Sequence, residues 1–201
     1  MTAGPISFPQ LCANVRAEIG QDHRYAHVVR VARFADRLAM RHGLSTRKAR
    51  VAGMLHDLAR LYSAQRLLDE CTNRGIPVDD FAREHPIVLH AALGAALARE
   101  RYGVDDPEIL SAIEKHTTGA AQMSDLDCVL YLADGLEPGR DHPGRAALAR
   151  LAFEDLRAAM RGTLESSFSH LRERGLKAAP QSIQAARAFG AAINPREVAT
   201  G

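Results

Sequence analysis

The segment Val51–Arg60, with the sequence VAGMLHDLAR, places His56 and Asp57 side by side at the end of an apolar, helix-patterned run. Adjacent residues on an α-helix point about 100° apart and normally serve different faces. An ion lying against the helix can still be reached by both side chains, and imidazole nitrogen with carboxylate oxygen suits Fe, Mn, Zn or Co. A histidine that complements a helix C-terminus would give the same pair, so the rest of the chain decides between the two interpretations.

The composition is that of an ordinary soluble protein with one domain. The 201 residues are 46% hydrophobic and 25% charged, and a formal net charge of +2 gives no sign of a surface dedicated to nucleic acid. No apolar run is long enough to span a bilayer, and Met1–Gln10 lacks the pattern of a signal peptide. The scattered Cys12, Cys71 and Cys128 favour reduced thiols. We therefore expect a cytoplasmic protein without a membrane or nucleic-acid partner.

Apolar residues at three- and four-residue spacing predict helices along the whole chain. The predicted helices are Leu11–Ile19, His23–His42, Thr46–Leu55, Ser63–Asn73, Ile87–Tyr102, Pro107–His116, Met123–Leu136, Arg145–Arg174 and Gln181–Ala192. Gly94 interrupts the fifth of these and predicts the close approach of another backbone or a ligand. No segment alternates with period two, so the predicted fold class is all-α, a helical bundle. We expect a lead-in with a short helix at 1–20, one domain at 21–192 and a flexible tail at 193–201.

Six imidazole or carboxylate side chains fall on or beside the apolar faces of five predicted helices. They are His27, His56, Asp57, His90, His116 and Asp134. A single histidine on such a face is more often a core residue than a ligand, but an unpaired buried carboxylate is very costly. Six such groups from five helices are what a bundle needs to enclose a metal in its core. The remaining histidines lie at helix ends or polar positions and are excluded: His23, His42, His85, His142 and His170.

The order of these six residues along the chain resembles the HD-domain superfamily of metal-dependent phosphohydrolases. Within it, five phrases resemble the YqeK family in order and spacing: LHD at Leu55–Asp57, LHAALGA at Leu89–Ala95, IEKHTTG at Ile113–Gly119, YLAD at Tyr131–Asp134 and LEPGR at Leu136–Arg140. The resemblance spans residues 20–190. It implies an HD-domain bundle with a metal site in its core, and symmetrical hydrolysis of diadenosine tetraphosphate to two ADP with iron as the metal.

Particular roles follow from this resemblance. It implies that the metal ligands are His27, His56, Asp57 and Asp134. It implies that the nucleotide and phosphates are contacted by His90, His116, Thr117, Arg140 and, near the C-terminus, Ser182. The chain departs from the family pattern at Leu58 and His85, where aromatic residues are usual, and at Arg60, where a lysine is usual. The C-terminal pattern is reduced to Pro180, Ser182 and Arg187.

The chemistry of a phosphoanhydride explains why such residues are needed. Its oxygens are negatively charged, and a divalent metal both neutralises phosphate and lowers the pKa of a bound water. With Asp57 on the metal, His90 or His116 can bind phosphate and protonate the departing ADP. Arg140 can clamp a phosphate through two N–H groups. In the simpler interpretations, Arg140 is a solvated loop cation and Thr117 merely ends a helix.

Three alternatives remain open at this point. The first is another HD-type nucleotide phosphohydrolase, acting on a monophosphate or an alarmone. The second is a diiron HD oxygenase, which would use His90 and His116 as ligands of a second metal. The third is a non-enzymatic nucleotide sensor. The ligand types also leave Mn, Co and Mg beside Fe, and the long amphipathic helix Arg145–Arg174 offers a face for a homodimer.

Overall fold

The computed structural model describes residues 7–193, which form eleven α-helices and one 3₁₀ turn and contain no β-strand. The helices are α1 (Phe8–Ile19), α2 (Asp22–Arg41), α3 (Thr46–Leu55), α4 (Ala64–Asn73), α5 (Asp80–Glu84), α6 (Leu89–Tyr102), α7 (Pro107–Lys115), α8 (Asp125–Leu136), α9 (Arg145–Glu154), α10 (Leu156–Glu173) and α11 (Pro180–Phe189). The 3₁₀ turn, Pro86–Val88, directly precedes α6. The all-α prediction is confirmed.

Short polar side chains set the starts of the helices that carry the predicted site. Ser45 caps α3 by accepting a hydrogen bond from the backbone N–H of Lys48, and Asp106 caps α7 in the same way. Ser124 begins α8 with a reciprocal capping box, in which the Asp127 side chain accepts from the backbone N–H of Ser124. The caps lie at the N-terminal ends of these helices, and the predicted site residues lie at or near their C-terminal ends.

The predicted helix Arg145–Arg174 is wrong as a single element. The chain breaks at Asp155, whose backbone is extended at φ −147° and ψ 106°. The Asp155 side chain accepts a hydrogen bond from Ala158 N at 3.0 Å and so caps a new helix, α10. Apolar spacing runs through this point without interruption, which is why it did not reveal the break. The homodimer that this helix suggested stays a prediction.

Two smaller differences concern the segment before α6 and the end of the chain. The short helix α5 was not predicted, although Asp79 caps it by accepting from Ala82 N at 2.7 Å. The predicted start at Ile87 falls in the 3₁₀ turn rather than in α6. The flexible tail predicted for 193–201 lies, apart from Ile193, outside the described residues.

Helix α3 lies at the centre of the bundle, where it packs against α2, α7 and α8. The crossing of α2 and α3 is close because Gly53 has no side chain: a Cβ there would lie 2.6 Å from the Cα of Ala32. Gly94 on α6 permits a similar approach, since its Cβ would lie 3.2 Å from the carbonyl oxygen of His56. This confirms the close backbone contact predicted at Gly94. Both glycines bring helices against the segment that carries His56 and Asp57.

Two findings concern membrane-spanning helices and the cysteines. Over residues 7–193, no helix has both the length and the apolar character needed to cross a membrane. Cys12, Cys71 and Cys128 are all free thiols, and the latter two are buried. Burial raises the pKa of the Cys128 thiol to about 12, so this side chain is an inert part of the core.

Candidate metal centre

The structure brings all six predicted side chains, which come from five helices, into one cluster. His27 lies on the inner face of α2, and His56 follows the last residue of α3, with Asp57 next to it. His90, His116 and Asp134 lie in the first turn of α6, just after α7 and in the last turn of α8. The four histidines and Asp57 are each less than 9% exposed. Polar groups buried together in this way need one another or an ion.

His27, His56 and Asp134 offer potential ligand atoms that all lie within 4.8 Å of one another, and the Asp57 carboxylate lies next to this set. His27 Nε2 lies 3.1 Å from Asp134 Oδ1 and 3.9 Å from Asp57 Oδ2. His56 Nε2 lies 3.6 Å from Asp57 Oδ2 and 3.8 Å from Asp134 Oδ1. Two ligands that each bind one ion at about 2.0–2.2 Å are themselves about 3–4 Å apart. The spacing of His27, His56 and Asp134 therefore fits a common metal, and two nitrogens with the carboxylates of Asp134 and Asp57 suit Fe, Mn or Co.

His56 supplies the most direct sign of a missing partner. Its Nδ1 lies 2.8 Å from the carbonyl oxygen of Gly53, so Nδ1 carries the proton and donates it. Nε2 then has a free lone pair, yet it is buried and has no hydrogen-bond partner. Buried polar atoms are rarely left this way, and a metal ion is a common explanation. The residues present thus fit the metal that the sequence predicts.

His90 and His116 form a second group on the other side of Asp57. His90 Nε2 lies 3.4 Å from Asp57 Oδ1 and 3.2 Å from His116 Nε2. The hydroxyl of Thr117 lies 3.2 Å from His90 Nε2 and 3.1 Å from His116 Nε2. His56, Asp57 and His116 also form a second set of potential ligand atoms, all within 4.8 Å of one another.

The carboxylates of the cluster are held in their charged form. Burial opposes ionisation, but the neighbouring imidazoles of His56 and His90 keep the pKa of Asp57 well below its usual range. Burial also opposes ionisation of Asp134, and the hydrogen bond from His27 outweighs it, so its pKa is lowered too. Deprotonated carboxylates are the form that binds a cation.

The two histidines with resolved shifts differ in direction. Burial lowers the pKa of His116 to about 3, which makes this side chain neutral at pH 7. Burial also acts to lower the pKa of His27, but hydrogen bonds to Asp134 and Glu137 outweigh it and raise the pKa. His27 is therefore the more basic of the two, which suits a metal ligand.

A cavity of about 300 Å³ opens onto the cluster, and its wall is mostly charged. Its lining residues are Arg24, Asp57, Arg60, Ile87, His90, Thr117, Asp134 and Arg140. Three guanidinium groups thus face one small space that is also lined by the carboxylates of Asp57 and Asp134. Such an arrangement favours a ligand that carries several negative charges, because each arginine can donate two parallel hydrogen bonds to a phosphate.

The substrate contacts predicted from the sequence do not all reach this cavity. His90, Thr117 and Arg140 line it, whereas His116 lies behind His90. Ser182 is half-buried in the first turn of α11 and is not part of the cavity wall. Its role as a substrate contact stays a prediction.

Sequence reasoning gave no role to three residues that the structure places at the site. Arg24 precedes His27 by one helical turn and points to Asp57, with Nη1 3.7 Å from Oδ2; the three-residue spacing was available as a signal. Glu137 belongs to the phrase LEPGR but has no predicted role of its own. Its carboxylate lies 3.0 Å from His27 Nδ1. Arg30 binds that carboxylate through Nε at 2.6 Å.

Comparison with known proteins shows which family the chain is similar to. The sequence profile of the HD domain matches residues 24–139. A Bacillus subtilis protein named symmetrical bis(5'-nucleosyl)-tetraphosphatase is 32% identical over 81% of this chain and 87% of its own length. A Staphylococcus aureus protein of the same name is 33% identical over 66% of this chain and 68% of its own.

A solved structure is similar over nearly the whole chain. It is that of a predicted HD superfamily hydrolase involved in NAD metabolism from Clostridium acetobutylicum. The two superpose with a TM-score of 0.88 at 33% sequence identity, over 92% of this chain and 98% of the other.

Proposed function

Because the chain belongs to the HD domain family and, within it, to the YqeK family, we propose that it cleaves diadenosine tetraphosphate symmetrically into two ADP. The coarser assignment, an HD-type metal-dependent nucleotide hydrolase, rests on the family itself. The finer one is supported by two relatives of that name, each at least 32% identical to this chain.

One observation carries the proposal: the unpartnered Nε2 of His56 lies beside two ionised carboxylates at a cavity whose wall holds three arginines. The first part of this arrangement suits a divalent cation and the second suits a polyphosphate. A binding site for a neutral small molecule would have no use for Arg24, Arg60 and Arg140 in one space. A structural metal site would be closed rather than open to a cavity.

His27, His56, Asp57 and Asp134 would hold the metal. When bound there, a divalent ion neutralises phosphate charge and lowers the pKa of a water molecule towards neutrality. Iron is the proposed metal, with Mn, Co and Mg as the ions to compare. The three arginines would bind the polyphosphate in the cavity and would stabilise the charge that develops on it in the transition state.

His90 is the residue best placed to give a proton to the departing ADP. It lines the cavity, whereas His116 lies behind it, with its Nε2 3.2 Å from His90 Nε2. The Nδ1 of His90 lies 2.5 Å from the carbonyl oxygen of Ile87, which leaves Nε2 as the atom that faces the substrate. The attacking water would lose a proton to solvent while its oxygen forms a bond to one inner phosphorus. The bond from that phosphorus to the bridging oxygen breaks, and the departing ADP takes a proton from His90.

The experiment is a product analysis in 18O-labelled water. The protein, loaded anaerobically with ferrous iron, is incubated with diadenosine tetraphosphate, and the nucleotides are separated and weighed by mass spectrometry. Attack at an inner phosphorus with ADP as the leaving group gives ADP alone, and one of every two ADP molecules carries one 18O atom. Parallel samples with Mn²⁺, Co²⁺ and Mg²⁺ identify the metal that supports the fastest turnover.

Other outcomes would contradict the proposal in distinct ways. ATP with AMP would mean that the water attacks one phosphate further along. No turnover of the dinucleotide, with hydrolysis of a nucleoside monophosphate or an alarmone, would assign the chain to another HD phosphohydrolase. Consumption of oxygen without phosphate chemistry would favour a diiron oxygenase.

A further inference from the structure

The histidines of the cluster are oriented in two different ways. In His56, His90 and His116, Nδ1 faces the carbonyl oxygen of the residue three positions earlier, at 2.8, 2.5 and 2.7 Å. Each of these rings is therefore oriented by its own stretch of backbone. His27 differs: its Nδ1 faces the carboxylate of Glu137, which lies 110 residues away in the sequence. Its orientation depends on a charged side chain from another helix.

Glu137 is itself held firmly. It lies directly after α8, three residues beyond Asp134, and is 1% exposed. Arg30 donates to both of its oxygens, from Nε to Oε2 at 2.6 Å and from Nη2 to Oε1 at 3.0 Å. The backbone N–H of Gly139 donates to Oε2 at 2.5 Å. Burial opposes ionisation of Glu137, but these donors and His27 lower its pKa to about 2, so the carboxylate is charged.

Gly139 explains how Arg30 reaches this position. A Cβ on Gly139 would lie 2.5 Å from Nε and Nη2 of Arg30. Any larger residue at 139 would therefore displace the guanidinium that holds the carboxylate. The turn Glu137–Gly139 therefore does more than end α8. The Glu137 side chain, the backbone N–H of Gly139 and the missing Cβ of Gly139 all contribute to one contact with Arg30 of α2.

We propose that Glu137 is a positioning residue of the metal centre, which keeps His27 Nε2 directed at the ion and makes the ring a stronger ligand. A carboxylate that accepts the second N–H of a metal-binding imidazole fixes its tautomer and ring orientation and increases its basicity. Arg30 acts one step further out, by holding Glu137. The inference rests on the metal site of the proposed function, because it assigns Glu137 to one of that site's ligands.

The same contacts also connect two proposed ligands of the ion, His27 and Asp134. Asp134 lies in the last turn of α8 and Glu137 directly follows this helix, and His27 contacts both, Asp134 through Nε2 at 3.1 Å and Glu137 through Nδ1 at 3.0 Å. The imidazole is therefore fixed from both sides by α8. Loss of the Glu137 charge frees the ring to rotate about its remaining contact.

The test measures binding of Co²⁺ alone to the full chain, by titration calorimetry and by the visible absorption of the bound ion. Glu137→Gln keeps the size of the side chain and removes its charge. We expect Co²⁺ to bind about 10- to 100-fold more weakly. We also expect a changed absorption spectrum, since these bands respond to ligand geometry. Arg30→Gln, which leaves the carboxylate in place, should weaken binding less.

Asp127→Asn is a closely matched control. Asp127 is also a fully buried carboxylate of α8, and it too is held by a cation and a backbone N–H: Lys115 Nζ at 2.9 Å and Ser124 N at 2.8 Å. Its partners lie outside the metal cluster. This variant should lose stability without any change in Co²⁺ affinity or spectrum.

The outcomes separate the inference from the proposed function. Wild-type affinity and spectrum in folded Glu137→Gln would overturn the positioning role, and so would equal losses in Glu137→Gln and Asp127→Asn. If Glu137→Gln does not fold, unchanged Co²⁺ affinity and an unchanged spectrum in Arg30→Gln would overturn it. If the wild-type chain itself binds no Co²⁺, the metal site of the proposed function fails, and the inference fails with it.

Discussion

Arg140 is bound to Asp134 at two points: its Nη2 lies 2.5 Å from Oδ1, and its Nε donates to the backbone carbonyl oxygen at 2.8 Å. The arginine predicted from the sequence to clamp a phosphate is thus anchored to a proposed metal ligand. Its side chain is nevertheless 40% exposed and lines the cavity, so part of the guanidinium fork faces the substrate space. Arg140 can therefore connect the metal and a phosphate.

Arg140→Ala should raise KM for the dinucleotide while the metal stays bound. Hydrogen bonds to charged groups contribute about 1.5–3 kcal/mol, which corresponds to about 10- to 100-fold in affinity. Asp134 keeps its contact with His27 in this variant, so the metal content after dialysis should equal that of the wild type. Loss of the metal along with the substrate affinity would show that Arg140 is needed for the ligand geometry rather than for phosphate binding.

His56→Ala and Asp57→Ala should each lose metal and activity together. Both side chains are proposed ligands, and removing either one leaves the other polar groups of the cluster buried without a partner. Metal content by elemental analysis and turnover of the same samples provide the check. His170→Ala, which removes an exposed histidine of α10, is the control and should retain both. Turnover by Asp57→Ala protein that contains no metal would rule out the mechanism.

The role of His90 can be separated from that of a second metal ligand. His90→Gln should lower kcat by about 10²- to 10⁴-fold, the usual contribution of a general acid. The number of metal ions bound per chain should stay the same, because His27, His56, Asp57 and Asp134 remain. A fall from two bound ions to one would instead make His90 a ligand of a second metal, as the diiron alternative requires.

Sequence patterns predicted the helices and the six clustered side chains because both follow from local spacing. The adjacency of His56 and Asp57 and the position of Asp134 beside an apolar stripe are visible within one helix each. The sequence assigns no role to Glu137 because its hydrogen-bond partner, His27, is 110 residues away. The break at Asp155 was missed for a different reason: apolar spacing carries no information about a side chain that caps a new helix.

Gly53→Ala should destabilise the fold. The new methyl group would lie 2.6 Å from the Cα of Ala32, which forces α2 and α3 apart. Overpacking of this kind typically costs about 1–3 kcal/mol of unfolding free energy. Urea denaturation measures the loss. Gly135→Ala is the matched control, since it is also inside a helix but its Cβ would meet only the Thr163 side chain at 3.8 Å. That variant should be neutral or slightly more stable, and equal losses in both would contradict the packing argument.

Glu137 also predicts how acid affects the metal-free protein. Its pKa is about 2 in the folded chain against an ordinary 4.5, because Arg30, His27 and the N–H of Gly139 favour the charged carboxylate. A lowered folded-state pKa contributes stability that is fully present above pH 4.5 and is lost as the pH falls towards 2. His27 is protonated throughout this window, since its pKa is raised from 6.5, so its charge does not change there. With metal removed by a chelator, the difference in urea midpoint between wild type and Glu137→Gln should therefore be larger at neutral pH and shrink in acid. If the difference in urea midpoint is the same at neutral and at acid pH, the charge of Glu137 contributes nothing to the stability of the fold. The contact of Glu137 with His27 would then contribute only through packing.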